Sequence, residues 1–209
     1  MAERGLDKIS LELSAACNLS AWMSSKLNEV TINDTLRNRV PASCFAVTLD
    51  HFDAVLTLLQ RNPKLYSSAF ALMRPVFESY IRGMWLMHCA TDEQIESFSK
   101  GIFQLPRKIE VMIDSIETTC NFDGKQLSVS HYSVWKYLCD YTHTGALQVQ
   151  RWNKLDSIEP NYSDEEILEV IHFTSAYALL ASVGILNTVA NSNPELVETF
   201  LAKAKEIAI

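Results

Sequence analysis

Arg74, Glu78 and Arg82 stand four residues apart in the stretch ALMRPVFESYIRGMWLMH, a spacing that puts all three on one helical face as a row of alternating charge. Such a row either closes on itself as a structural network or presents its guanidinium donors to an anion. Leu72, Met73, Val76, Phe77, Tyr80, Ile81, Met84, Trp85 and Met87 leave little of this helix suited to water. The charges are therefore expected to be partly buried and to need counter-groups, because an unpaired buried charge is costly. Pro75 lies inside the row. It removes the amide that would bond the carbonyl of Ala71, kinks the helix, and leaves an acceptor free beside Arg74.

A second polar stretch, KYLCDYTHTG, sets Asp140 three residues before His143, with Gly145 just beyond. An aspartate so placed fixes the tautomer of a histidine and raises its basicity, while a histidine at a helix end also serves as a C-terminal cap. This is the densest polar patch on any other helix with apolar flanks. It is expected to face the charged row, with Arg74 or Arg82 reaching His143 directly or through Glu78.

Metal chemistry has a countable ligand set. Glu169-x-x-His172 has the carboxylate–histidine spacing of di-iron bundles, Asp140-x-x-His143 approximates it on another helix, and Glu78 or Asp50 would add carboxylates. Against it, two arginines beside Glu78 oppose a dication, and the second motif carries Asp where Glu is usual. No metal and no cofactor is expected. Phosphate-cradling glycine loops, Gly-x-Ser-x-Gly elbows and His-Glu-x-x-His motifs do not occur. His51, His88 and His131 read as structural or solvent-facing, and Trp22, Trp85, Trp135 and Trp152 as core or interface residues.

The elements that hold these residues follow from the wider pattern. The 209 residues, 48% of them apolar, suffice for a single domain (1–209) with a real core. Five cysteines without a Cys-x-x-Cys pair read as reduced core thiols of a cytoplasmic protein, and the start MAERGLDKISLELS lacks the pattern of a secretory signal. The segment ILEVIHFTSAYALLASVGILNTVA is long enough for a membrane but carries Glu169, His172 and Asn187. It is read as a central buried helix and not as a span. A net charge of −7, with six acids and no base from Asp156 to Glu169, repels a long phosphate backbone. Arg37 with Arg39, and Arg107 with Lys108, are too sparse for a long DNA footprint.

Apolar or small residues recur in steps of three and four at Leu6, Ile9, Leu13, Ala16, Ser20, Met23, Leu27 and Val30, then at Phe45, Leu49, Phe52, Leu56 and Leu59 after Pro41. A third helix runs from Leu65 to Cys89. Capping signatures at Thr91/Gln94, Ser163/Glu166 and Asn193/Pro194 open later helices, expected over 92–100, 105–119, 130–150, 163–190 and 194–207. NFDGK is a turn signal without hairpin flanks. The expectation is an all-α antiparallel bundle of about seven to eight helices, with 163–190 at its centre because it is apolar nearly all round.

Over residues 64–152, the pairing of LMRPVFESYIRGMWL with YLCDYTHTG resembles a group of uncharacterised bacterial all-α proteins in which an Arg-x-x-x-Glu helix precedes a helix ending in histidine. More loosely it is similar to the HEPN superfamily of helical domains, which includes metal-independent ribonucleases of toxin and phage-defence systems, usually dimeric. The HEPN signature is an arginine, a polar residue, four to six intervening positions and a histidine. Arg82 to His88 matches its spacing with Gly83 in the polar place, and Lys136 to His143 matches it with lysine for arginine.

The resemblance implies a homodimer acting on RNA at Arg74, Glu78, Arg82, Asp140 and His143. In such a site His143 would take the 2′-hydroxyl proton and an arginine would stabilise the charge on the phosphorane. The other reading of the same residues is a non-catalytic module whose arginines hold an anionic small ligand or a partner's carboxylate.

Overall fold

The computed structural model describes residues 2–190 and 193–207. The fold is all-α, as the apolar periodicity requires. Among the described residues ten helical segments run α1 (Ala2–Leu27), α2 (Leu36–Gln60), α3 (Tyr66–Ala71), α4 (Met73–His88), α5 (Asp92–Ser99), α6 (Ile109–Thr119), α7 (Gln126–Thr142), α8 (Ala146–Gln150), α9 (Asp164–Leu186) and α10 (Pro194–Ile207). Among the described residues there is no strand, only the isolated bridges Ile32–Val189 and Asn153–Ile158. The side chain of Leu6 lies outside the described residues; Ile9, Leu13, Ala16 and Met23 of the same stripe are buried.

Three helix starts follow the capping chemistry in the sequence. Thr91 and Gln94 form a reciprocal capping box at α5, and Ser163 and Glu166 form another at α9. The Asn193 side chain accepts from the Leu196 amide at 3.1 Å ahead of Pro194. These contacts satisfy backbone donors that a helix N-terminus otherwise leaves without partners.

More segments form than the periodicity implies, because two long stretches break, and a third begins later than expected. The third helix divides at Leu72, where Pro75 removes the bond to Ala71. The 130–150 stretch divides at His143–Gly145, with Thr144 at φ 55°. The 105–119 helix begins only at Ile109, since Leu105 precedes Pro106 and a residue before proline disfavours the helical region. Pro41 does not open α2; it sits one turn inside it. The five residues gained at the α2 start carry Arg37, which donates to the carbonyls of Ala90 (2.5 Å) and Met87 (3.3 Å), at and just beyond the end of α4.

Helix α9 occupies the centre, packed against α1, α2, α4 and α10, with α2 and α4 against one another. By length and composition α2 and α9 both suffice to cross a membrane, yet 67% of the apolar window of α9 is buried inside the bundle, against 39% for α2. Three helices meet closely at one ring. Phe45 of α2 is fully buried, and a Cβ placed on Gly83 of α4 or on Gly184 of α9 would come within 2.5 Å or 2.6 Å of its atoms. The two glycines are therefore the space in which the ring lies. This also accounts for Gly83 in the polar place of the HEPN-like pattern, since no side chain fits there.

Alanine for glycine inside a helix ordinarily stabilises by about 1 kcal/mol. Here Gly83→Ala and Gly184→Ala are each expected to destabilise by about 1–3 kcal/mol through overpacking. Urea denaturation reads the sign directly, and an unchanged or raised midpoint would contradict the placement of Phe45.

Candidate functional site

The charged row of α4 is a closed chain of contacts on a half-buried face. Arg74 Nε donates to Glu78 Oε1 at 2.6 Å and Arg82 Nη2 donates to Glu78 Oε2 at 2.8 Å, so one carboxylate bridges two guanidiniums. Side-chain exposure falls from 48% at Arg82 to 22% at Arg74 and 17% at Glu78. Arg82 is thus the arm that solvent and solutes meet. The Arg74 guanidinium lies 4.8 Å from the centre of the Trp135 ring on α7, an arrangement in which the ring face attracts the cation.

Two contacts from α7 hold this geometry. Thr142 Oγ1 donates to the Ala71 carbonyl at 3.1 Å, occupying the acceptor that Pro75 leaves free. One residue on, His143 Nε2 meets Arg74 Nη1, which also lies 3.7 Å from Cys139 Sγ. The kinked helix and the His143 helix therefore face one another, with Arg74 as the link. A guanidinium only donates, so His143 Nε2 accepts and the neutral ring carries its proton on Nδ1.

Asp140 does not orient His143. Its Oδ2 accepts from the Leu147 amide at 3.4 Å and its carbonyl from the Gly145 amide at 2.7 Å. A Cβ on Gly145 would lie 2.5 Å from Asp140 Oδ1. Asp140 is the joint between α7 and α8, and the tautomer of His143 is set by Arg74 instead. His143 also ends α7, its amide bonding the Cys139 carbonyl at 2.9 Å.

Of the HEPN-like pairs, Arg82 and His88 are turned apart on α4. Six residues advance roughly 600° around a helix, which leaves His88 about 120° round from Arg82, and His88 lies beside Arg37, where burial and that positive charge lower its pKa. Lys136 is exposed and makes no ion pair among the described residues. The residues of the metal reading are dispersed too. His172 pairs with Glu12 at 3.3 Å, Asp140 serves the α7–α8 joint, and Glu78 is held by two arginines. Among the described residues no three His, Cys, Asp or Glu side chains gather as ligands.

Beside the row opens a cleft of about 350 Å³. Arg74, Glu78 and Arg82 line it from α4, and Trp135 from α7. Phe103, Gln104, Leu105, Pro106 and Arg107 line it from the irregular segment before α6. Three arginines thus share the cleft with one glutamate. Arg107 is exposed and has no ion-pair partner among the described residues. Sequence reasoning noted Arg107 only as part of a sparse basic pair and missed Thr142 and Cys139. The signal available was Pro106, which ends helical structure and so leaves Arg107 on an irregular wall.

Two further polar groups sit nearby without joining the cleft. His131 is buried under Trp135, ring centres 4.8 Å apart, with Nε2 3.8 Å from Glu110 Oε1. Burial lowers its pKa despite the Glu110 charge. Arg151 Nε donates to Glu166 Oε1 at 2.7 Å, and Tyr141 Oη donates to the same oxygen at 3.1 Å. Burial opposes the Glu166 charge, but the bonds from Arg151 and the Ser163 amide outweigh it and hold that carboxyl below its ordinary value.

An all-α bundle with an arginine-rich cleft is the class that fold and site define. The chain belongs to a family of unknown function, DUF6988, whose model matches residues 45–207. No curated protein and no solved structure matches the chain.

In long-range ¹H–¹⁵N NMR spectra taken where the ring is neutral, His143 is expected to carry its proton on Nδ1, and Arg74→Gln to release that preference. An Nε2–H ring in the unaltered protein would contradict the Arg74 contact.

Proposed function

We propose that the protein is a binding module that holds an anionic small ligand in the cleft beside α4. The observation that carries this reading is the imbalance of three arginines against one glutamate, with Arg82 half-exposed and Arg107 unpaired among the described residues. Arg74 is committed to Glu78, Trp135 and His143, so it shapes the wall. Arg82 gives one N–H to Glu78, and Arg107 contributes a second fork. A guanidinium has five N–H donors in a rigid fork suited to carboxylate or phosphate oxygens. A cytoplasmic location accords with five cysteines that are all free.

Any solute that binds only the folded state raises its stability as RT ln(1 + [L]/Kd). Inorganic phosphate is expected to raise the melting temperature with that logarithmic dependence on concentration, and the Arg82→Gln/Arg107→Gln double variant to abolish the rise. An equal rise in the double variant would place binding elsewhere, and no rise with phosphate would count against the reading.

The HEPN resemblance supplies a second reading, metal-independent RNA cleavage, favoured by one observation: His143 is exposed and bonded to Arg74. An incoming phosphate would take the Arg74 N–H, freeing Nε2 to accept the 2′-hydroxyl proton. The 2′-oxygen would bond to phosphorus and displace the 5′-oxygen, which would take a proton from water, giving a 2′,3′-cyclic phosphate and a 5′-hydroxyl. Mixed RNAs incubated in EDTA would yield those ends with the unaltered protein and not with His143→Ala. Intact RNA would remove this reading.

A further inference from the structure

The cleft is not lined by charge alone. Besides its arginines it is lined by Phe98, Phe103, Leu105, Pro106, Ile109 and Met112, and Phe103 is held in place by stacking on Trp85, ring centres 6.2 Å apart at 14°. A site for bare phosphate has no use for such a wall. Anion sites for single-stranded nucleic acid follow the backbone with successive positive charges and aromatic faces. Here the positive charges are confined to one spot on a chain of net charge −7, and Trp135 is already in contact with Arg74 and His131.

Resting on the anion-binding reading, we infer that the ligand is an amphipathic small anion. Its single carboxylate or phosphate engages Arg82 and Arg107, and its aryl or alkyl body lies against Phe103, Leu105 and Met112. The volume of about 350 Å³ falls at the small end of the roughly 300–1,000 Å³ of ligand pockets, which suits one ring or a short chain and not an oligonucleotide. Burying that body strengthens a binding that exposed ion pairs alone leave weak. The arginines select the charge and fix the orientation.

The test compares acetate, inorganic phosphate, benzoate and benzyl alcohol, titrated into the full chain and followed by the indole N–H of Trp135 in ¹H–¹⁵N NMR and by calorimetry. Benzoate is expected to bind about tenfold or more tighter than acetate, the factor that corresponds to burying part of one ring. Benzyl alcohol, which has the body without the charge, is expected not to saturate. Leu105→Ser and Phe103→Ala should each remove most of the benzoate advantage while leaving acetate affinity unchanged. Leu105→Ser keeps the test open if the loss of Phe103 disturbs the fold, which circular dichroism would report.

If phosphate and acetate bind but benzoate binds no tighter than acetate, the amphipathic inference is overturned while the anion site stands. If none of the three anions binds, the anion-binding reading itself fails and takes this inference with it. Benzoate binding that persists in Arg82→Gln/Arg107→Gln would also overturn the inference, since the body alone would then account for affinity.

Discussion

The carbonyl of Ala71 is the constraint from which the site is built. Pro75 cannot donate to it, and an unpaired carbonyl in a half-buried helix costs on the order of 1–3 kcal/mol. The Thr142 hydroxyl fills the vacancy from the end of α7. With that bond made, the last turn of α7 is fixed against the α3–α4 break. His143 then meets Arg74, and Trp135, two turns earlier on the same helix, lies against its guanidinium. One backbone defect thus determines which helix faces the charged row.

Glu78 sets what the row can do. As the one carboxylate between Arg74 and Arg82 it neutralises part of a positive face that apolar neighbours would otherwise make expensive. Its two oxygens are divided between the two arginines, so neither guanidinium receives the bidentate fork that would satisfy it fully. Arg74 finds the rest of its partners within the protein. Arg82, nearly half exposed, is left with donors facing the cleft, where Arg107 joins it from an irregular segment.

Much of this was legible in the sequence for local reasons. Four-residue spacing placed Arg74, Glu78 and Arg82 on one face. The missing amide of Pro75 foretold a free acceptor, and three capping pairs marked helix starts now seen at Thr91, Ser163 and Asn193. Non-local facts were not legible. That Asp140 would turn to the Leu147 amide instead of His143 depends on the Thr144–Gly145 bend, where a non-glycine residue adopts positive φ under tertiary constraint. That Arg107 would reach the cleft depends on how the segment before α6 returns over α4. Spacing rules also suggested Arg82 with His88, but helical geometry points them apart, and Gly83 between them answers to Phe45.

In the proposed site Arg82 and Arg107 together receive an anion. The most direct measurement follows the side-chain ¹⁵Nε resonances of Arg74, Arg82 and Arg107 while inorganic phosphate is added. Saturable shifts are expected at Arg82 and Arg107 with one shared dissociation constant, and a smaller response at Arg74, whose guanidinium is already bonded. Linear, unsaturating shifts at all three, or a saturable response that leaves Arg82 and Arg107 unmoved, would contradict it.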